Sequence, residues 1–508
     1  MRYFISCSLS LISRCSLLVL LIVMTGAFAA CATPLPEKVI QTVTVVVTRE
    51  VPVEVTKEIV VTREITVEVP FEKIVEVTPT PLQPVIVSVS EAALPDDALG
   101  MQRQRWMLER FRLLRPDVVI NPSTYHYDPQ TFITHTHSPL EDTYAVSLTD
   151  ARALIEAGYA ADITAYVENT PYRAAYHPAL LTLAQDAYGN IYGLPHAANG
   201  LGLMYNRRLF AEAGLDPDKP PQTWDEVRAY AQHIHANLEG VDGFNIRNEG
   251  ALGGWMSVAM MMSFGGDVVQ QVEGRWIAVY NNPAMVAAMQ FMHDLRWQDG
   301  ATTSDITSWG NYALVLDFVG GKTAMTIASA DTLGWMIRNL KDLNIEDVGF
   351  GRMPNGGANA TLGTGEVWLY NPASAPEVLE AALAFNTWRE FDLVALEHTV
   401  QMQAESGAIV GLPYINVFTG EYGQQRAAII EKYANVPVAN YADFINSGVV
   451  VRGEPPVAAP ELYDELGRVL RQVLATPNPD IKALLDASAA NFQVRVLDGI
   501  NAGQTRNK

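Results

Sequence analysis

Tyr192-Gly-Leu-Pro-His-Ala-Ala-Asn-Gly-Leu-Gly-Leu-Met-Tyr-Asn-Arg-Arg-Leu-Phe-Ala-Glu-Ala-Gly-Leu-Asp216 reads as a strand leaving a turn at Gly193 and Pro195, then a short helix stopped by Gly214. A proline-rich turn follows from Pro217. Thr223 then stands as an N-cap with Glu226 three residues on, the capping box of a further helix. Towards the N-terminus, Val85 to Val89 is a short apolar strand, followed by a loop from Ser90 to Asp97. Gln102 to Leu114 has helical spacing, with Trp106, Leu108 and Phe111 among its apolar residues. Asp117 to Asn121 and Asp142 to Ser147 read as two more strands, and Leu148 to Ala157 as a helix ending near Gly158. Strands alternating with helices in this way imply an α/β fold with a mostly parallel sheet. Ligands of such sheets bind beyond the carboxyl ends of the strands. Position alone therefore puts Ser90, Glu91 and the run from Tyr144 to Ser147 at the mouth of a site.

Further motifs follow in order. Phe264-Gly-Gly-Asp267 leads to Tyr280-Asn-Asn-Pro283 and an amphipathic helix to about Trp297. Phe318-Val-Gly-Gly-Lys-Thr-Ala-Met-Thr-Ile327 is followed by Ser329 and Asp331. Gly351-Arg-Met-Pro354, Leu362-Gly-Thr-Gly365 and Gly411-Leu-Pro413 complete the series. With the stretch from Tyr192 to Arg228, these motifs resemble the family 1 extracellular solute-binding proteins, the maltose-type and multiple-sugar receptors of ABC importers. The resemblance covers nearly all of Val85 to Asp498.

The resemblance implies a two-lobed periplasmic-binding-protein-like fold with a ligand cleft and hinge between the lobes. By analogy the chain crosses between lobes near Pro195 to Asn199, near Gly363 to Glu366 and near Ala404 to Gly411. Lobe one would hold about 85–196 and 366–400, and lobe two about 197–365 and 401–508. It implies capture of a small solute, a mono- or oligosaccharide, by lobe closure, and delivery to the membrane permease subunits of an ABC importer. Neither chemistry nor a cofactor is expected.

A sugar offers apolar C–H faces and a rim of hydroxyls, so its site needs aromatic planes and forked polar groups. Trp255 after Gly253-Gly254, Trp309 and Tyr312 near Gly310, Trp335 and Trp368 are read as loop aromatics. Trp255, Trp309 and Tyr312 are the foremost of these. Trp106, Trp224, Trp297 and Trp388 sit in helical patterns and read as packing. Glu91, Asn199, Asp331 and Glu366 are the polar candidates, with Tyr144 added from its place on the third strand. Two other classes remain open. His126, His135 and His137 could serve a metal-binding receptor, since Thr134-His-Thr-His137 would put two imidazoles on one side of a strand. A carbohydrate-active enzyme is the other. Gly321-Lys322-Thr323 resembles the end of a nucleotide-binding loop, but Leu316 stands where its first glycine belongs. Neither a Gly-x-Ser-x-Gly elbow nor a His-Glu-x-x-His pair occurs, and no carboxylate pair stands out among the 56 acids.

The N-terminal part differs in kind. Arg2 and Arg14 flank a polar start, and an apolar run from Leu17 to Ala30 follows. This layout predicts a signal peptide over 1–30, and the run falls short of the roughly 20 residues that span a membrane. Phe28-Ala29-Ala30-Cys31 resembles the bacterial lipobox, with Phe28 in the usual place of leucine. Cys31 is therefore the expected lipidation site, and the protein is expected on the extracytoplasmic face of the cell membrane. The other cysteines, Cys7 and Cys15, lie in the signal peptide. A body without thiols cannot rely on disulfides and needs a large core. Residues 31–84 repeat Val47-Thr-Arg-Glu-Val51, Val55-Thr-Lys-Glu-Ile59 and Val61-Thr-Arg-Glu-Ile65. The offset from 47 to 61 is two heptads, which suits a self-associating helix, whereas Pro52 and Pro70 count against one. The other reading is a solvated tether, able to reach about 170 Å when fully extended. A net charge of −21 argues against nucleic acid or an anionic membrane surface as partner.

Overall fold

The computed structural model describes residues 83–506, apart from 130, 171, 187 and 307–309. The signal peptide, Cys31, nearly all of the tether and Trp309 lie outside the described residues. In chain order the strands are β1 (Val85–Val89), β2 (Val118–Pro122), β3 (Thr143–Ser147), β4 (Gly193–Asn206) and β5 (Val269–Val272). They continue as β6 (Arg275–Ala278), β7 (Met325–Ser329), β8 (Val348–Gly351), β9 (Ala360–Tyr370) and β10 (Val450–Arg452). Among the described residues, eight form one sheet in the order β2-β1-β3-β9-β4-β7, with β8 on β4 and β10 on β9. β5 and β6 form a separate hairpin.

The expected mostly parallel sheet holds only in part. β1 runs parallel to β2 and β3, and β10 to β9, but β3 and β4 both meet β9 in antiparallel fashion. β7 and β8 are also antiparallel to β4. The reason is the length of β4 and β9, which run past each other in opposite directions and are each shared by two groups of strands. Residues 193–200 of β4 pair with β9, and residues 201–206 pair with β7 and β8. β4 is buried or half-buried along its whole length, which is why its sequence is small and apolar on both faces.

Each long strand feeds two cores. The first gathers Val87, Phe111, Tyr144, Leu194, Ala198, Val367, Trp368 and Phe385. The second gathers Leu201, Leu203, Trp224, Phe244, Met260, Leu362 and Leu466, with a smaller cluster around Met204, Phe318 and Phe350 beside it. The change of core falls between Ala198 and Leu201 on β4, and between Leu362 and Val367 on β9. Residues 401–508 do not all join the second core, as the sequence suggested. Phe418 packs 5.0 Å from Tyr176 and 4.6 Å from Phe391 in the first core, because the Gly420–Lys432 helix lies against that side.

Local readings fare better. The Thr223 capping box forms, with the Glu226 N–H donating to Thr223 Oγ1 at 3.2 Å and Glu226 Oε2 accepting from the Thr223 N–H at 3.2 Å. It launches the Trp224–Asn237 helix, and Trp224 Nε1 donates to Ser263 Oγ at 2.8 Å inside the second core. The first long helix is Ala98–Leu114 and starts before Gln102, because the Asp97 side chain accepts from the Gly100 N–H at 2.8 Å. Gly254 lets the Leu252–Ser263 helix touch the Ala459–Ala475 helix. A Cβ there would lie 2.0 Å from the Tyr463 carbonyl oxygen. Gly254→Ala is expected to cost about 1–3 kcal/mol, read as a lower urea midpoint with an unchanged slope. No helix among the described residues is long and apolar enough to cross a membrane.

Candidate ligand cleft

Directly opposed residues of an antiparallel pair share a face, and alternate residues return to it. Glu366 on β9 is opposite Ser147 on β3 and Ala197 on β4, and Asn199 lies two residues along β4. Glu366, Ser147 and Asn199 therefore line one face where the two cores meet. Asp331 arrives from the second core. β7 ends at Ser329, whose Oγ accepts from the Thr332 N–H at 3.4 Å and starts the Ala330–Asn339 helix. Asp331 sits in its first turn, accepting from Asn199 Nδ2 and, at 2.9 Å, from the Tyr414 hydroxyl. Asn199 is 5 % exposed, and among the described residues its Oδ1 accepts no hydrogen bond.

Glu91 comes from the first core. Its φ of 66° is left-handed, a conformation that non-glycine residues adopt at a cost. Two backbone bonds hold it there, Glu91 N–H to the Tyr125 carbonyl at 3.0 Å and Ala92 N–H to the Ser123 carbonyl at 2.9 Å. Its carboxylate lies 2.5 Å from His126 Nδ1 and accepts from the Tyr127 N–H. Burial raises the Glu91 carboxyl, and the nearby His126 draws it back down. Glu366 is also raised, by burial first and then by the charges of Glu91 and Asp331. Its side chain nevertheless keeps 56 % of its surface open. Protein surrounds the group while solvent still reaches it, which is the setting of a cleft floor.

The acidic line runs on. The Tyr127 hydroxyl donates to Asp150, and the charge of Asp150 is felt by Glu454. Glu454 Oε1 accepts from Trp255 Nε1 at 2.9 Å, whereas its Oε2 accepts nothing among the described residues. Burial pushes the Glu454 carboxyl up to about 7, against the opposing pull of the Trp255 hydrogen bond and with further help from Asp150. Burial holds Asp150 above its usual range as well. Glu366 feels both Glu91 and Asp331, while Asp150 and Glu454 form a second acidic pair connected to Glu91 through Tyr127.

The structure brings Glu91, Asn199, Asp331 and Glu366 near one another. It moves most of the aromatic candidates. Trp255 is not in a loop but in the Leu252–Ser263 helix, half-buried, with the Arg247 guanidinium 5.2 Å from its ring centre. Tyr312 is likewise helical, on Asn311–Val319. It meets Trp335 edge to face at 6.2 Å, and the two are 61 % and 38 % exposed. Trp335 lies one turn beyond Asp331, on the same side of its helix. Trp368 is a strand residue caught between Arg389 at 3.7 Å and His196 at 4.7 Å, so both ring faces are taken. Burial drives that His196 imidazole down to about 3, so it is neutral near pH 7.

Tyr144 is corrected. It is fully buried and donates its hydroxyl to the Tyr159 carbonyl at 2.5 Å, because β3 is buried on both faces from Thr143 to Val146. The histidine segment is corrected too. Thr134 and His135 belong to a short helix, Phe132–His135, rather than a strand. His135 stacks on Tyr125 at 3.6 Å and pairs with Glu141 at 2.9 Å, while His126 faces Glu91, so the imidazoles point at different partners. Among the described residues no group of three or more metal-ligating side chains is placed to hold a metal ion.

Comparison with known proteins follows this geometry. A family profile described as bacterial extracellular solute-binding protein matches residues 136–388. The chain belongs to that family. This solute-binding protein is 25 % identical over 193 residues to the sn-glycerol-3-phosphate-binding periplasmic protein UgpB of Yersinia pestis. That match covers 36 % of this chain and 41 % of the relative, so the chain spans less than half the length of that curated relative. Its fold is shared with the cyclic alpha-maltosyl-1,6-maltose binding protein of Arthrobacter globiformis. There the TM-score is 0.63 at 22 % identity, over 80 % of this chain and 97 % of that one. UgpB of Mycobacterium tuberculosis, solved with glycerophosphocholine, has the same fold, with a TM-score of 0.59 at 16 % identity over 81 % and 98 % of the two chains. Sequence reasoning about this solute-binding protein missed Tyr414, Asp150 and Glu454. Tyr414 directly follows the Gly411-Leu-Pro413 motif and was within reach; no local pattern marks Asp150 or Glu454.

Proposed function

We propose that this protein captures a small, hydroxyl-rich solute between its two cores and delivers it to the permease subunits of an ABC importer, without a chemical step. The observation that carries this reading is the meeting of Asn199, Asp331 and Glu366 beside the two strands shared by both cores. A buried carboxamide oxygen without a partner and forked carboxylates accept hydroxyl hydrogens, and Tyr312 and Trp335 offer apolar planes nearby. Hinging would fall at Asn199–Gly200 and Gly363–Glu366, where each strand changes core. Lobe one then comprises about 85–198 and 366–432, and lobe two most of the remainder. In this reading the protein sits on the extracytoplasmic face, anchored through lipid on Cys31 and spaced from the membrane by residues 32–84.

Thermal unfolding of the protein against neutral sugars, polyols and glycerol phosphates tests it. A ligand at about 100 times its dissociation constant should add roughly 2.7 kcal/mol of stability. A shift with one carbohydrate class, lost in Asn199→Ala, supports the reading. Stability unmoved by every carbohydrate and polyol sinks it.

A further inference from the structure

Among the described residues, the carboxylates of the cleft outnumber the positive groups beside them. His126 lies against Glu91, and Arg247 lies over Trp255. Arg389, stacked behind Trp368 and 3.3 Å from Glu390, acts on Glu91. Arg338 acts on Tyr414, which donates to Asp331. Asn199 adds a buried acceptor, Oδ1, and Glu454 adds another, Oε2. A solute that satisfies them must be rich in donors. Hydroxyls alone would complete the hydrogen bonds and leave the mutual repulsion of Glu91, Asp331 and Glu366 as it was. A phosphorylated solute would add to it.

We infer that the cleft selects a carbohydrate carrying a protonated amino group, with the ammonium placed among Asp331, Glu366 and Asn199 Oδ1. This rests on the receptor reading above and names the solute class for that site. An ammonium has three donors and no acceptor, which matches acceptors converging from β4, β9 and the Ala330–Asn339 helix. Its charge also favours the ionised form of Glu366, whose carboxyl burial and the neighbouring charges raise, so binding strengthens as Glu366 loses its proton.

The test compares isosteric pairs by calorimetry on the intact protein at pH 7. Glucosamine and its β-1,4-linked disaccharide are set against glucose and cellobiose, with glycerol 3-phosphate as the anionic arm. The amino sugars are expected to bind at least about tenfold tighter than their parents, a difference of about 1.4 kcal/mol. The preference should shrink as pH rises through the amine's own pKa, and N-acetylation should remove it. Glu366→Gln should weaken amino-sugar binding more than neutral-sugar binding and so narrow the preference, and an unfolding midpoint close to the parent's separates a charge effect from misfolding. Equal or tighter binding of the neutral parents, or of glycerol 3-phosphate, overturns this inference and leaves the receptor reading standing. No heat and no stabilisation with any of these solutes overturns this inference, and the same silence from every other carbohydrate and polyol overturns both.

Discussion

Asp331→Ala is expected to weaken solute binding by about 10- to 100-fold, equivalent to about 1.5–3 kcal/mol for a hydrogen bond to a charged group. The size follows from position. Asp331 accepts from Asn199 and from Tyr414 at 2.9 Å, while its charge reaches Glu366 on the neighbouring long strand. On the proposed reading, removing it deletes a ligand acceptor, and it frees the two side chains that frame it. Asn199 is buried, so losing its partner should also cost roughly 1–3 kcal/mol of stability. Asp331→Asn retains an acceptor for Asn199 and separates the two effects. It should keep the unfolding midpoint near that of the parent protein and still bind more weakly. Calorimetry with the best solute from the stability screen decides. An Asp331→Ala protein that binds as tightly as the parent would make Asp331 only a clamp on Asn199.

Glu454→Gln is expected to flatten part of the pH dependence of folding. The Glu454 carboxyl moves from an ordinary 4.5 up to about 7 in the folded protein, with burial the main cause. Between those values the folded state holds the proton and the unfolded state has released it, so stability falls as pH rises. The loss is absent below about 4.5 and complete above about 7, with a ceiling of about 3 kcal/mol. Glutamine keeps an acceptor for Trp255 Nε1 but carries no charge. Urea unfolding at pH 4.5 and pH 7.5 should therefore show the smaller drop in the variant. Glu91, Glu366 and Asp150 are raised too and will keep a residual slope. Identical drops in parent and variant would mean that Glu454 stays ionised where it sits.

What was legible in the sequence followed local chemistry. The capping box at Thr223 and Glu226, the first strands and the shift from strand to helix after Ser147 all form where the residues ask for them. Each depends on neighbours within a turn. The antiparallel β4–β9 pairing was not legible from alternation, because it joins residues 193–200 to residues 363–369. Glu366 and Asn199 were reachable because both sit in glycine-rich strand motifs. Trp255 and Trp335 were misread as loop residues because glycines precede them. In the structure Gly253 and Gly254 are packing glycines inside a helix, the second closing on the Tyr463 carbonyl. Glu454 entered the site only through tertiary contact with Trp255 and Asp150.

Small-angle scattering of the protein, with and without the solute that gives the largest stabilisation, tests the cleft and its hinge most directly. Closure of the two cores about β4 and β9 predicts a smaller radius of gyration at saturation, and a change in Asp331→Ala reduced in step with its lower occupancy at the same solute concentration. Superimposable curves at a concentration where calorimetry shows the site full would contradict binding by closure between the two cores.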